Sequence, residues 1–227
     1  MKLSDKILIG FFGCILLYII VAFTELRLKG DINRLIDTNS VSETTAITGV
    51  NYLVLSDLNQ RIIILGSDNP RIEVKSITGK VMQYLKYNIS GDTLFIKSMK
   101  LIKDQRANIL IHVPKKDFMG VTSKNTQVAI NNLAPETLSI IQRGGQISIE
   151  SENTLTKLNI RTEESANFLV QHCKIDTINA IINDSEVIIY PQVKLFQGSI
   201  ENDSYLNLKS PHEIKFKKDE SSKLSIN

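Results

Sequence analysis

From Val50 onward, apolar and polar residues alternate in short runs, at residues 61–65, 71–75, 93–97 and 108–113. Turn formers separate them: Gly66, Asp68, Asn69 and Pro70 in one gap, Ser90, Gly91 and Asp92 in another. A period of two sends alternate side chains to opposite faces, so each run predicts a half-buried strand. Beyond Lys124 the alternation acquires a longer period. A five-residue unit (small, any, apolar, any, apolar) starts at Thr126, Gly145, Ala166, Ser185, Ser204 and Ser222, at spacings of 19, 21, 19, 19 and 18 residues. A second alternating piece precedes most copies, at residues 138–140, 158–160, 178–182 and 214–216.

A period near 19 with short strands and polar corners predicts a parallel β-helix, or β-solenoid. Each rung buries its alternate apolar residues inward and stacks on its neighbour at about 4.8 Å. A β-sandwich, with strands every 8–12 residues, also alternates; six copies at near-constant spacing favour the solenoid. The terminal rung is expected either to be blunted by Lys217, Lys218, Asp219 and Glu220 or to serve as an assembly surface.

The pattern near the N-terminus is different. Residues 7–23 are an uninterrupted apolar run, preceded by Lys2 and Lys6 and followed by Glu25, Arg27 and Lys29. At 1.5 Å per helical residue the run spans about 25 Å, the short end of what a bilayer core needs. A cleaved signal peptide would want a better small-residue site than Val21 to Glu25 supply. A lipoprotein signal would end at its cysteine, but apolar residues continue after Cys14. An uncleaved anchor is the expected reading, with a cytoplasmic stub and single-pass helix over residues 1–24, a juxtamembrane linker over 25–49 and an extracytoplasmic (periplasmic) β-solenoid over 50–227. The inferred place is a bacterial cell membrane.

Composition supports the all-β reading. Hydrophobic residues make up 42% of the 227, enough for a core, while Trp is absent and Gly numbers only 11. The net charge of +3 is too small to argue for nucleic acid, and no nucleic-acid partner is expected. Its distribution is uneven: residues 71–124 hold 11 Lys/Arg against 4 Asp/Glu, and residues 125–213 hold 6 against 11. The basic stretch suggests a candidate interaction surface at Lys97, Lys100, Lys103, Arg106, Lys115 and Lys116, suited to anionic lipid or lipopolysaccharide; a solvated lysine face is the plain alternative. The repeated corners Asn183-Asp184 and Asn202-Asp203 are a second candidate surface.

Catalytic chemistry finds little support. His112, His172 and His212 lack metal-ligand spacing, and the last two fall two rungs apart, about 9–10 Å, too far to share a metal. Cys173 follows His172 directly, so on a strand their side chains diverge. Nucleophile-elbow and phosphate-loop motifs are absent. Glu150 and Glu152 would share a face at glycosidase-like separation, yet no aromatic platform accompanies them. The expectation is a non-enzymatic module without cofactor or metal.

The order of features from about residue 52 onward resembles the bacterial auto-transporter adhesin head family, also described as the GIN domain. The resemblance rests on the strand–turn–strand at residues 62–74, the Ser90-Gly91-Asp92 turn leading into Thr93 to Lys97, the strand closing on Pro114, and the rungs that follow. It departs where residues 121–126 lack the glycine-rich segment usual in the family. The resemblance implies a β-helical fold and an exported location, and it assigns no functional residue. Together these features predict a membrane-anchored binding or assembly module that contacts a protein partner or itself, with glycan or anionic lipid as further ligands. The competing reading is an envelope lipid-transport component, for which an open apolar trough is expected.

Overall fold

The computed structural model describes residues 12, 13, 15–19 and 40–227, apart from Thr78, residues 102–106 and Ser151. It divides into Met1–Ser40 and Val41–Asn227. In the first unit residues 12, 13 and 15–19 are helical, with Phe12, Leu16, Leu17 and Tyr18 exposed. Among the described residues no helix is long and apolar enough to cross a membrane. The anchor expected over residues 7–23 lies largely outside them.

The second unit is all-β. Its first strands are β1 (Val41–Ala46), β2 (Tyr52–Ser56), β3 (Ile62–Ser67), β4 (Arg71–Ser76), β5 (Leu85–Ser90), β6 (Thr93–Met99) and β7 (Ala107–Pro114). A single turn of 3-10 helix, Met82–Tyr84, precedes β5. The repeats then supply β8 (Gly120–Lys124), β9 (Gln127–Asn131), β10 (Thr137–Arg143), β11 (Gln146–Ile149), β12 (Thr154–Glu163) and β13 (Ala166–Val170). They continue as β14 (Lys174–Asn183), β15 (Ser185–Ile189), β16 (Leu195–Glu201), β17 (Tyr205–Leu208), β18 (Glu213–Lys218) and β19 (Lys223–Ile226).

Two sheets enclose one core. The even-numbered strands β8 to β18 stack parallel in one, here the long-strand sheet, and the odd-numbered β9 to β19 stack parallel in the other, the short-strand sheet. Each five-residue unit read from the sequence begins at the tight corner and runs into a short strand. The piece before it is the long strand of the same rung. The chain is thus a β-solenoid, with about five turns joining these rungs. Inward side chains such as Leu158, Phe168, Ile178, Val187, Phe196 and Leu206 are essentially without solvent exposure. Burying each contributes about 1.5–3 kcal/mol, which a lone rung could not gain.

The corners explain the polar repeats. From long to short strand the chain turns within one to a few residues, using left-handed backbone at Asn125, Glu164, Ser165, Asp184, Asn202 and Asp203. Asn and Asp tolerate that conformation better than most residues. The small residue opening each unit faces inward there: Thr126, Ala166, Ser185, Ser204 and Ser222 are all buried. In the last two rungs its hydroxyl satisfies the preceding rung: the Ser185 N–H donates to Ser204 Oγ at 3.2 Å and the Ser204 N–H donates to Ser222 Oγ at 3.3 Å.

The N-terminal end departs from simple winding. β2 and β3 form a rung against β8 and β9, and β6 and β7 form another on its far side, both parallel. Strands β4 and β5 run antiparallel to β7 and β6, and β1 runs antiparallel to β4. This end is therefore capped by antiparallel strands. Residues 41–46, placed by the sequence pattern within a linker, are instead β1. The strand was hidden because its residues are mostly exposed, without alternating apolar positions. Backbone pairing holds it, as does Glu43, whose carboxylate accepts from the N–H groups of Val81 at 2.6 Å and Met82 at 3.0 Å.

Candidate functional site

The outward face of the long-strand sheet carries a shallow trough of about 530 Å³ across β10, β12, β14 and β16. One wall is a column of polar side chains in consecutive rungs: Ser139, Asn159, Asn179 and Gln197. They form a ladder. Gln197 Nε2 donates to Asn179 Oδ1 at 2.8 Å, Asn179 Nδ2 to Asn159 Oδ1 at 2.8 Å, and Asn159 Nδ2 to Ser139 Oγ at 3.4 Å. The other wall is Ile141, Arg161 and Ile181, two residues further along each strand. Ile181 is 51% exposed, a large apolar side chain left open on a sheet face.

The concavity has a backbone cause. The inward column beneath the trough runs Ile140, Ile160, Ala180 and Gly198, so side-chain bulk falls along it before Phe216 of β18 restores it. Gly198 has φ +147°, and a Cβ there would sit 1.7 Å from the Ala180 carbonyl oxygen. Only glycine permits this close approach of β16 to β14. Arg161 is partly neutralised: its Nε donates to Glu163, whose other oxygen lies 3.4 Å from Arg143 Nε. The hydrogen bond from Arg161 holds the Glu163 carboxyl below the usual carboxylate range.

The residues singled out in the sequence do not form one surface. Lys97 lies on β6 and Lys100 just beyond it, whereas Lys115 and Lys116 follow β7 in the other sheet. Lys103 and Arg106 lie outside the described residues. Among the described residues, Lys97, Lys100, Lys115 and Lys116 make no ion pair with one another or with acids. Asn183, Asp184, Asn202 and Asp203 do lie together, at adjacent tight corners, about 24 Å or more from β6 at one strand spacing per rung. Their bonds point to a structural task. Asn202 Nδ2 donates to Asn183 Oδ1 at 2.8 Å, the Asn202 N–H to Asp219 Oδ2 at 2.7 Å, and the Ser165 N–H to Asp184 Oδ2 at 3.1 Å. Hydrogen bonds from Ser222, Asn202 and Ser221 hold the Asp219 carboxyl down at about 2.

His112 is buried against Glu73 with 2.9 Å between Nε2 and Oε2, and Ser42 Oγ and Arg71 Nη2 donate to the same carboxylate. Burial opposes ionisation of Glu73, but these donors outweigh it and keep the group below its ordinary range. The arrangement ties β1 and β4 to β7. Burial pushes the Cys173 thiol up to about 12. Glu150 and Glu152 fall in the corner after β11, not on a strand, and Glu150 pairs with Arg61 at 3.1 Å. Among the described residues no cluster of His, Cys, Asp or Glu is suited to hold a metal ion.

The trough escaped the sequence reading. Its signal was a polar residue recurring at Asn159, Asn179 and Gln197, spaced 20 and 18 residues apart, inside strands read only for their apolar partners.

No family model and no curated protein matches the chain. Among solved structures, a "putative adhesin" from Bacteroides fragilis is similar, with TM-score 0.58 and 12% identity, over 84% of this chain and 98% of that one. A "putative lipid binding protein" from Parabacteroides distasonis gives TM-score 0.46 and 13% identity over 84% and 98%. A "putative adhesin" from Parabacteroides merdae gives TM-score 0.46 and 9% identity over 84% and 97%. The Bacteroides fragilis likeness is one of fold.

Proposed function

We propose that this chain is a membrane-anchored, exported binding module of adhesin or scaffold type, acting without catalysis and engaging a protein partner through the trough. The observation that carries the reading is Ile181 lying exposed and Ile141 half-buried on a sheet face beside a rim of amides and Arg161. An apolar patch rimmed by polar groups is the usual anatomy of an interaction surface. The ladder supports it, because rungs fixed by side-chain bonds present a rigid face that loses little entropy on binding. The order of features shared with the adhesin head family agrees with this reading, as does the common fold with the Bacteroides fragilis protein.

The test is site-specific photocrosslinking from position 181 of the full-length chain in intact cells, followed by mass spectrometry. A stoichiometric protein partner, or a second copy, is the expected product. Crosslinks to no protein, or to the same proteins from position 181 and from an exposed corner such as position 203, would overturn the reading. The apolar lining also favours a second reading, an envelope lipid or glycolipid component; lipid co-purifying with the parent chain and lost in Ile181→Asp would support it.

A further inference from the structure

A second concavity lies on a different part of the rungs. Where short strands turn into long ones, a cleft of about 730 Å³ is lined by Gln171, His172, Cys173, Lys174, Tyr190, Pro191 and Lys209. Pairing of Val170 with Ile189 and of Ile189 with Leu208 puts the next residues, Gln171, Tyr190 and Lys209, in one column on consecutive rungs. The N–H groups of Tyr190 and Lys209 donate to the carbonyls of Val170 and Ile189, at 3.0 and 3.1 Å, so the column continues past the strand ends. Successive members are therefore about 4.8 Å apart.

The chemistry of the lining is one-sided. Among the described residues, Lys174 and Lys209 make no ion pair and no carboxylate lines the cleft. The acid nearest along the column, Glu150, is committed to Arg61 and to the Ser148 hydroxyl. Tyr190 is 57% exposed, so its ring is an open apolar face set between two cations and an amide. A simple anion would be served by the lysines alone. A flat aromatic face beside them matches a ligand that has both an apolar ring face and a negative charge.

We infer that this cleft binds an acidic sugar residue of a glycan: the Tyr190 ring packs against the sugar's C–H face, Lys174 and Lys209 receive its carboxylate or sulfate, and Gln171 reads a hydroxyl. The site is separate from the trough and does not depend on a protein partner there. Cys173 contributes surface only, since burial keeps its thiol protonated.

Isothermal titration of the full chain with oligogalacturonate, sialyllactose and a heparin disaccharide, with lactose and inorganic phosphate as controls, tests this. At least one acidic glycan is expected to bind, lactose is not, and phosphate is expected to compete weakly. Tyr190→Ala and the double variant Lys174→Gln/Lys209→Gln are each expected to weaken binding tenfold or more. All three side chains lie at an open corner, and an unchanged unfolding transition would show that the fold is kept. Ile181→Asp in the trough is expected to leave glycan affinity unchanged, so that failure of one surface is distinguishable from failure of the other. The inference is overturned if no acidic glycan binds at millimolar concentration, if lactose binds equally well, or if Tyr190→Ala has no effect and phosphate displaces the ligand, the behaviour of a bare anion site.

Discussion

Gly198→Ala is the sharpest test of how the trough is built. The new Cβ would stand 1.7 Å from the Ala180 carbonyl oxygen and 2.7 Å from its carbon, both backbone atoms of the paired strand. No rotamer relieves such a contact, so β16 must leave the φ of +147° and draw away from β14. Releasing one or two ladder bonds and leaving their partly buried groups unsatisfied costs about 1–3 kcal/mol each. Alanine recovers about 0.5–1 kcal/mol through the unfolded chain. The expected net loss is roughly 2–4 kcal/mol, a lowering of Tm by about 5–15 °C for a domain of this size. Gly91→Ala supplies the contrast: φ is +62° but no atom lies within 4 Å of the added Cβ, so only the conformational cost of about 1 kcal/mol applies. Urea unfolding of both variants, followed by circular dichroism, reads the difference. A Gly198→Ala loss no larger than that of Gly91→Ala would refute the close-approach argument.

Two further outcomes follow from the tight corners. Ser204→Ala removes the acceptor of the Ser185 N–H and a donor to the Glu201 carbonyl, both at a buried position, and is expected to cost about 1–3 kcal/mol in denaturant unfolding; Ser204→Thr, which keeps the hydroxyl, should recover most of it, and equal losses would contradict the role given to the bond. Asp219 titrates at about 2 in the folded chain against an ordinary 3.8, so its stabilisation of the last corner is complete above about pH 4 and lost as pH falls through about 2; carboxyl carbon shifts measured by NMR against pH should show that low midpoint, and a value near 3.8 would remove Asp219 from the corner.

The solenoid was legible because burial imposes a strict rule on each rung. Every inward position of a short strand must be apolar and every corner must turn, so the unit reappears near 19 residues whatever the outward residues are. The rule fails to show β1, whose residues are mostly exposed, and it says nothing of the non-sequential order β7, β3, β9, which depends on long-range pairing. It faltered in two rungs as well, those of Thr126 and Ser204. No alternating piece was visible before Ser204, because β16 reads Phe196, Gly198, Ile200 on its inward face, and glycine interrupts the apolar pattern. Outward residues face no such constraint. The amide ladder therefore left only a faint recurrence in the sequence, and the Gln171, Tyr190, Lys209 column became visible only once the register was known. The Asn183-Asp184 and Asn202-Asp203 corners attracted notice as repeats, but their repetition reflects left-handed backbone and inter-rung bonding.

The interruption in β16 and the position of the trough have one origin. A side chain at position 198 would meet the Ala180 backbone of the paired strand, so β16 could not lie against β14 as it does. Glycine above Ala180 permits the close approach, and both residues lie in the floor of the trough. A glycine chosen for stability alone would be a poor choice in a strand interior, since it weakens the strand and contributes nothing to the core. Its presence, next to Gln197 at the end of a continuous amide ladder, is accounted for by the surface it shapes. The fold thus gives up packing in one rung, and the compensating gain is sought at the trough, where binding and stability should respond in opposite directions to refilling position 180: Ala180→Ile is expected to flatten the trough and abolish crosslinking from position 181 even if the rung accommodates the added bulk.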